Sequence, residues 1–151
     1  MPPSTPVQVR DTALPVVEAR DGDVLRPGRV YTAPADRHLP VNPDRSLSLT
    51  EGERVHFSRP SADVLFESLA DSVGPLAVAV VLTGRGEDGA AGALVVRDRG
   101  GAVIAQDEAT SREFGMPGST ARGASTVIVL PLERIAPRLV ALLETLQTVP
   151  A

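Results

Sequence analysis

The chain has 151 residues, a formal net charge of −4 and no cysteine, and 42% of its residues are hydrophobic. A chain of this length and composition can bury a real core, so a disordered or fibrous protein is excluded. Without cysteine there are no disulfides, thiolate metal sites or cysteine nucleophiles, and the acidic balance argues against nucleic acid as the main partner. All 15 basic residues are arginine, which excludes Schiff-base and Walker-type lysine chemistry.

Neither end of the sequence carries a targeting signal. Residues 1–20 hold four prolines and several charges where a signal peptide would have an apolar run. The longest apolar run, from Leu76 to Leu82, is too short to span a bilayer. We therefore expect a cytoplasmic protein without membrane insertion, organised as a single domain over residues 1–151.

The first 60 residues are rich in proline and in turn signals, with short segments typical of β-strands. Residues 29–33 lie between a Pro-Gly turn and Pro34 and predict a strand. Residues 46–50 alternate with period two and lead through a Glu-Gly-Glu turn to residues 54–57. We interpret these two segments as a β-hairpin.

From residue 60 onward the pattern changes to alternating helices and strands. Three aliphatic runs predict strands buried in a parallel sheet: residues 76–82, 102–105 and 126–130. Four stretches predict helices: one from about residue 60 to Val73, one over 90–98, a short one before Gly115, and one from about 132 to 147. This alternation is typical of βαβ architecture, so the predicted fold class is α/β.

The turn after the first aliphatic run has two interpretations from the residues alone. Three of its glycines form the pattern G-x-G-x-x-G: Gly84, Gly86 and Gly89. With Asp107 and Glu108 about 20 residues later, this matches a dinucleotide-binding fingerprint, although Glu87 and Asp88 would repel a phosphate at the helix N-terminus. The alternative is structural, with Asp88 capping the helix that follows it and the glycines only permitting a tight turn.

The segment from Leu82 to Gly92 resembles the catalytic-aspartate loop of the chemotaxis protein-glutamate methylesterases (CheB-type). Further blocks resemble the same family in order along nearly the whole chain: residues 21–23, 27–28, 30–34, 36–39, 59–61, 63–66, 104–111, 114–117 and 129–136. The resemblance implies a doubly wound (Rossmann-like), mostly parallel sheet. It also implies hydrolysis of methyl esters on glutamate side chains of chemoreceptors, with glutamine deamidation as a second activity in many members.

The resemblance assigns roles to residues of two segments. Asp88 matches the aspartate of a Ser-His-Asp triad, where it would accept the histidine Nδ1 proton and stabilise the imidazolium. The remaining loop positions are expected to form the active-site loop: Thr83, Gly84, Arg85, Gly86 and Gly89. A second segment is a possible scaffold for the substrate: Phe114, Gly115, Met116 and Pro117. Arg85 stands where the family more usually has methionine, and it could pair with Glu87.

The other two triad members have no match in this sequence. The family's nucleophile lies in a Gly-x-Ser-x-Gly-Gly turn, and both it and the histidine would lie upstream of residue 1, as would the family's first strands. Ser125, His38 and His56 are interpreted as ordinary loop, surface or structural residues. We therefore expect the C-terminal portion of a methylesterase domain, without a receiver domain and without efficient triad chemistry as it stands.

Two explanations of this arrangement remain open at the level of sequence. The reading frame could begin further upstream, or the chain could be a non-catalytic domain that binds a receptor or a kinase. The expected partner in either case is the cytoplasmic region of a chemoreceptor or a related signalling protein. No cofactor is expected, and two histidines with scattered acids give no metal-ligand spacing.

Overall fold

The structure, a computed structural model, describes residues 13–148. Its elements follow one another in this order: β1 (Val16–Glu18), β2 (Val30–Thr32), α1 (Ala62–Val73), a 3₁₀ turn (Gly74–Leu76), β3 (Val78–Val81), α2 (Ala90–Asp98), β4 (Ala102–Gln106), α3 (Gly115–Gly123), β5 (Ile128–Leu130) and α4 (Leu132–Thr148). Helices alternate with strands after residue 60, as the sequence predicts.

A three-stranded parallel sheet in the order β3-β4-β5 organises the second half of the chain. Val78 is paired with Ala102 and Ile104 with Ile128, so β4 lies between its two neighbours. Ala79 and Val81 of β3 are almost fully buried, whereas Val78 and Val80 are only partly buried. Parallel strands joined through helices confirm the predicted α/β class.

The main core lies between this sheet and the helices α1 and α2. It is built from small and medium apolar side chains: Phe66, Ala70, Ala77, Ala79, Val81, Ala93, Val96 and Val103. The predicted limits of α2 agree with the structure, and Gly74-Pro75 ends α1 as expected. The many alanines allow the two helices to approach each other closely.

The described residues before α1, from residue 13 to residue 60, form a turn-rich segment that packs against α1. Its own small core is formed by Ala19, Leu39, Val41 and Leu47. Leu65 and Leu69 of α1 contact both this cluster and the main core. The helix α1 therefore joins the turn-rich N-terminal segment to the parallel sheet. The strands β1 and β2 form a separate parallel pair.

The predicted hairpin between residues 46–50 and 54–57 does not form. Residues 46–50 pair antiparallel with residues 38–41, as in the bridges of Val41 with Leu47 and of His38 with Thr50. The turn between them is stabilised by Asp44, whose Oδ1 accepts hydrogen bonds from the amide and the hydroxyl of Ser46. An Asn-Pro-Asp sequence is a turn signal of this kind, and it outweighs the Glu-Gly-Glu segment.

The short helix predicted before Gly115 does not form; α3 begins at Gly115 instead. In the preceding segment Asp107 Oδ1 accepts hydrogen bonds from both the amide (3.0 Å) and the hydroxyl (2.6 Å) of Thr110. Side chains that bond to nearby backbone in this way hold a turn and compete with helix formation. Pro117 is tolerated because it lies in the first turn of α3, where its missing N–H has no helical partner.

The last helix, α4, follows β5 after a single residue and packs against β4. Ile135 is its most buried side chain, while Leu132, Val140 and Leu143 are about half exposed. Within residues 13–148, no helix is long and apolar enough to cross a membrane.

Candidate active site

Asp88 lies in the loop after β3, at the carboxyl end of the strand, where α/β sheets place functional groups. Its side chain is only 6% exposed. Oδ1 accepts hydrogen bonds from Ser61 Oγ at 2.7 Å and from the amide of Asp63 at 3.2 Å, and Oδ2 accepts one from the amide of Ala62 at 2.7 Å. The carboxylate is therefore fixed by three donors at the N-terminus of α1.

This geometry corrects the expectation that Asp88 caps the helix that follows it. The N-cap of α2 is Gly89, at φ +99°, which has no side chain of its own to accept an amide of the helix. The carboxylate of Asp88 instead satisfies free amides of α1, which lies 25–27 residues earlier in the chain. No local pattern in the sequence could have indicated this choice of helix.

The N-terminus of α2 is capped by Asp63, from the first turn of α1. Asp63 Oδ1 accepts hydrogen bonds from the amides of Gly89 at 3.1 Å and Gly92 at 2.7 Å. A Cβ on Gly92 would lie 2.8 Å from Phe66 Cβ and 2.9 Å from Asp63 Cα, so this position needs glycine. Glycine at this crossing brings the two helix N-termini together, and their partial positive charges stabilise both buried carboxylates.

The contact of Asp63 with these amides argues against the dinucleotide interpretation. A pyrophosphate would have to bind the amides at the N-terminus of α2, and the carboxylate of Asp63 already occupies them. Asp107, the expected ribose ligand, is instead engaged by Thr110 in its own turn. Within residues 13–148 there is also no group of three or more His, Asp or Glu side chains able to hold a metal ion.

His38 is a buried structural residue beside Ser61, as the sequence interpretation expected. Its Nδ1 accepts the amide of Ser61 at 3.2 Å, so the ring proton resides on Nε2, which donates to the carbonyl of Glu53 at 2.7 Å. The ring is 2% exposed. His38 thus holds the backbone of Ser61 while Ser61 donates to Asp88.

The second histidine, His56, lies at the surface with its Nε2 3.4 Å from Asp63 Oδ2. Neither histidine is hydrogen-bonded to Asp88, whose partners are Ser61, Ala62 and Asp63. Ser125 lies in the exposed turn before β5.

The expected active-site loop and the expected substrate scaffold lie side by side. Thr83 Oγ1 donates to the carbonyl of Glu113 at 3.0 Å and accepts the amide of Glu113 at 2.8 Å. Gly84 forms a parallel bridge with Phe114, and its carbonyl accepts the amide of Met116 at 2.9 Å. These hydrogen bonds join the two segments to each other beyond the carboxyl ends of β3 and β4.

Gly115 lies directly against the loop that contains Gly84 and Gly86. A Cβ there would lie 2.8 Å from the amide nitrogen of Gly86, so a side chain would push the loop away. Gly86 itself has φ +87°, a conformation that favours glycine. Pro117, the last residue of the expected scaffold, is buried in the first turn of α3.

Arg85 pairs with Glu113, at 3.1 Å, and not with Glu87 as the sequence suggested. Its side chain is 85% exposed, so the pair contributes little to stability. Arg85 therefore points to the solvent side of the loop that contains Asp88.

Gln106 is a site residue that the sequence analysis missed. It is 1% exposed at the end of β4. Its Oε1 accepts the amide of Thr83 at 2.8 Å, and its Nε2 donates to the carbonyl of Thr110 at 2.8 Å. The sequence did contain a signal, because Gln106 is a polar residue at the end of the aliphatic run 102–105. A side-chain amide buried at such a position must form hydrogen bonds, so it is expected to hold neighbouring segments.

Comparisons with known proteins agree on one family. The CheB methylesterase family model matches residues 7–139. The chain is 46% identical over 134 residues to a protein-glutamate methylesterase/protein-glutamine glutaminase of a Nocardioides species, covering 85% of this chain and 37% of the relative. It is 46% identical over 125 residues to the protein-glutamate methylesterase FrzG of Myxococcus xanthus, covering 83% and 37%.

The curated relatives are much longer than this chain, which spans little more than a third of their length. Among solved structures, the Thermotoga maritima CheB methylesterase catalytic domain matches with a TM-score of 0.78 and 37% identity, covering 83% of this chain and 68% of that one. This likeness confirms the predicted doubly wound α/β fold. The chain belongs to the CheB methylesterase family.

Proposed function

We propose that this chain carries the acid residue, Asp88, of a site that hydrolyses methyl esters on glutamate side chains. The observation that supports this role best is the hydrogen bonding of the carboxylate. Three donors fix it, yet within the described residues Oδ2 accepts only one of them, which leaves an acceptor position for a histidine N–H. The relatives named as protein-glutamate methylesterases support the substrate class.

In this proposal Asp88 accepts the Nδ1 proton of the catalytic histidine. It thereby keeps the imidazole in the tautomer whose Nε2 can remove the serine proton, and it stabilises the imidazolium that results. The serine oxygen attacks the ester carbonyl, and methanol leaves with the proton that the imidazolium returns. Water, deprotonated by the same histidine, then hydrolyses the acyl-enzyme and releases a glutamate carboxylate and the free serine. Thr83 and the glycines fix the conformation of the loop, and residues 114–117 support it from the neighbouring segment.

The serine and the base must come from polypeptide outside these 151 residues. Both histidines of the chain have other partners, since His38 bonds to Ser61 and Glu53 and His56 lies beside Asp63. We propose that the 151 residues alone have no efficient esterase activity, and that the substrate is the methylated cytoplasmic region of a chemoreceptor. The proposed compartment is the cytoplasm.

A non-catalytic signalling domain is the second candidate. One observation favours it: Asp88 already has a structural role as the cap of α1, so its presence does not require a triad. Such a domain would bind a receptor or kinase without hydrolysing anything.

Methanol release from methylated receptor distinguishes the two candidates. The DNA upstream of Met1 is first translated in frame, and any segment with a Gly-x-Ser-x-Gly-Gly turn and a histidine is expressed together with residues 1–151. We expect hydrolysis by this longer protein and a loss of about 10⁴-fold in kcat for Asp88→Asn, because the asparagine favours the wrong histidine tautomer.

The matched control is Asp63→Asn, which alters the neighbouring buried carboxylate and keeps an oxygen for the α2 amides. It should keep most of the rate, and circular dichroism should show both variants folded. An in-frame stop codon close upstream, or unchanged turnover of Asp88→Asn, would overturn the esterase proposal in favour of the non-catalytic domain.

A further inference from the structure

A groove lined by arginines lies far from Asp88, between the N-terminal segment and the C-terminal end of α1. It consists of two cavities of about 650 Å³ and about 570 Å³ that share Arg26, Arg29 and Tyr31 as walls. Arg20 lines the first cavity and Arg45 the second. Because they share walls, the two cavities form one continuous surface feature, which we name the arginine groove.

The four arginines of the groove are exposed, and within residues 13–148 none of them forms an ion pair. Of the other arginines among the described residues, some form ion pairs, such as Arg59 with Asp36 and Arg99 with Asp71, and others, such as Arg134 and Arg138, form none. Two carboxylates, those of Glu18 and Asp23, line the same groove. Four positive charges therefore face two negative ones on a protein whose net charge is −4.

The walls of the groove are held in place by hydrogen bonds. Tyr31 Oη accepts the amide of Arg26 at 3.1 Å and donates to the carbonyl of Val24 at 3.2 Å. The amide of Leu25 donates to the carbonyl of Arg45 at 2.9 Å. The backbone that presents Arg26 and Arg45 is thus fixed before any ligand binds, which lowers the entropic cost of binding.

Arg45 also has an unfavourable backbone conformation. Its φ is +67°, in the left-handed region where glycine or asparagine would be unstrained. Arg45 takes this conformation in the turn over residues 42–46, where its amide donates to the carbonyl of Asn42 at 2.8 Å. The turn thereby fixes the position of the fourth arginine of the groove, which is the third on the second cavity.

Apolar side chains lie between the arginines. Val24, Leu76 and Leu143 line the groove and are about half exposed. Two joined cavities of this size are too long for a single phosphate ion, and they offer both charge and apolar contact. A polypeptide segment with acidic and apolar residues has the complementary chemistry.

We propose that the arginine groove binds an acidic polypeptide segment of a partner protein. The groove is separate from the site of Asp88: Leu76 precedes β3 and Asp88 follows it, so the length of the strand, about 13 Å, lies between them. The proposal therefore does not rest on the proposed role of Asp88.

Fluorescence anisotropy with a labelled peptide rich in glutamate and leucine tests the proposal on the chain as it is. The double variant Arg26→Gln with Arg29→Gln should weaken binding about tenfold, since each exposed charge contact contributes modestly. Binding should also weaken when salt rises from about 0.05 to about 0.5 M.

The control is the double variant Arg134→Gln with Arg138→Gln, which removes the same charge from exposed positions of α4 outside the groove. It should bind the peptide as tightly as the unchanged chain. No binding, equal losses in both double variants, or equal affinity for a lysine-rich peptide of the same length would overturn the proposal. So would displacement of the peptide by an equal concentration of inorganic phosphate, or preferential binding to vesicles of anionic lipid.

Discussion

Asp88 caps the helix that contains Asp63, and Asp63 caps the helix that follows Asp88. The first contact joins Asp88 Oδ2 to the amide of Ala62 at 2.7 Å, and the second joins Asp63 Oδ1 to the amide of Gly92 at 2.7 Å. Each carboxylate is buried, and each satisfies amides that a helix N-terminus leaves without partners. The proposed catalytic acid and the crossing of α1 and α2 are therefore one structural unit.

Removing the carboxylate of Asp88 is expected to destabilise the protein itself. In Asp88→Ala the amides of Ala62 and Asp63 and the hydroxyl of Ser61 lose their acceptor in a buried place, so the free energy of unfolding should fall by about 2–4 kcal/mol. Ser61→Ala removes one donor and should cost about 1–2 kcal/mol. Urea denaturation measures both, and an Asp88→Ala protein as stable as the original would contradict the capping role.

Gly92→Ala should destabilise the protein although alanine is the better helix former. In an open helix the change would gain about 1 kcal/mol, but the new Cβ would lie 2.8–3.0 Å from Phe66 Cβ and from the backbone of Asp63. Overpacking of this kind costs about 1–3 kcal/mol, so we expect a net loss.

The control for Gly92 is Ala91→Gly on the exposed side of the same helix. It should lose about 1 kcal/mol through helix propensity alone. If thermal denaturation shows that Gly92→Ala is more stable than the unchanged protein, the close crossing of α1 and α2 is wrong.

Gln106→Leu tests the link between the two loops of the site. The leucine keeps the apolar volume but leaves the amide of Thr83 and the carbonyl of Thr110 without partners, which should cost about 2–4 kcal/mol. Hydrogen exchange at the Thr83 amide should become faster, while the amides in the middle of α2 change only with global stability. An unchanged exchange rate at Thr83 would show that Gln106 does not hold this loop.

The sequence predicted the features that depend on neighbouring residues. The limits of α2 and the end of α1 at Gly74 follow from local patterning, and both agree with the structure. The partners of Asp88 could not be predicted, because they lie 25–27 residues away and are set by how α1 crosses α2. The predicted pairing of residues 46–50 with residues 54–57 was wrong for a different reason, since two nearby turn signals competed and the Asn-Pro-Asp turn, held by Asp44 and Ser46, formed the hairpin.

Glu67 gives a pH-dependent test on the exposed side of α1. Partial burial raises the pKa of its carboxyl, and Asp63 and Asp71, each one helical turn away, raise it further. The side chain is largely exposed, so solvent weakens both effects and their influence on stability is small. Because the folded pKa lies above the unfolded one, charged Glu67 lowers stability above the folded pKa, and this penalty disappears as the pH falls below the ordinary value.

Glu67→Gln should therefore raise the free energy of unfolding by about 0.2–0.5 kcal/mol at pH 7 and leave it unchanged near pH 3, in a comparison of denaturation curves at the two pH values. The pairing of Asp71 with Arg99 at 2.9 Å keeps the gain at the low end of this range. Glu144→Gln on α4 is the control, since Glu144 has no carboxylate four residues away on either side. A gain for Glu67→Gln that persists near pH 3 would mean that the effect comes from helix propensity and not from charge.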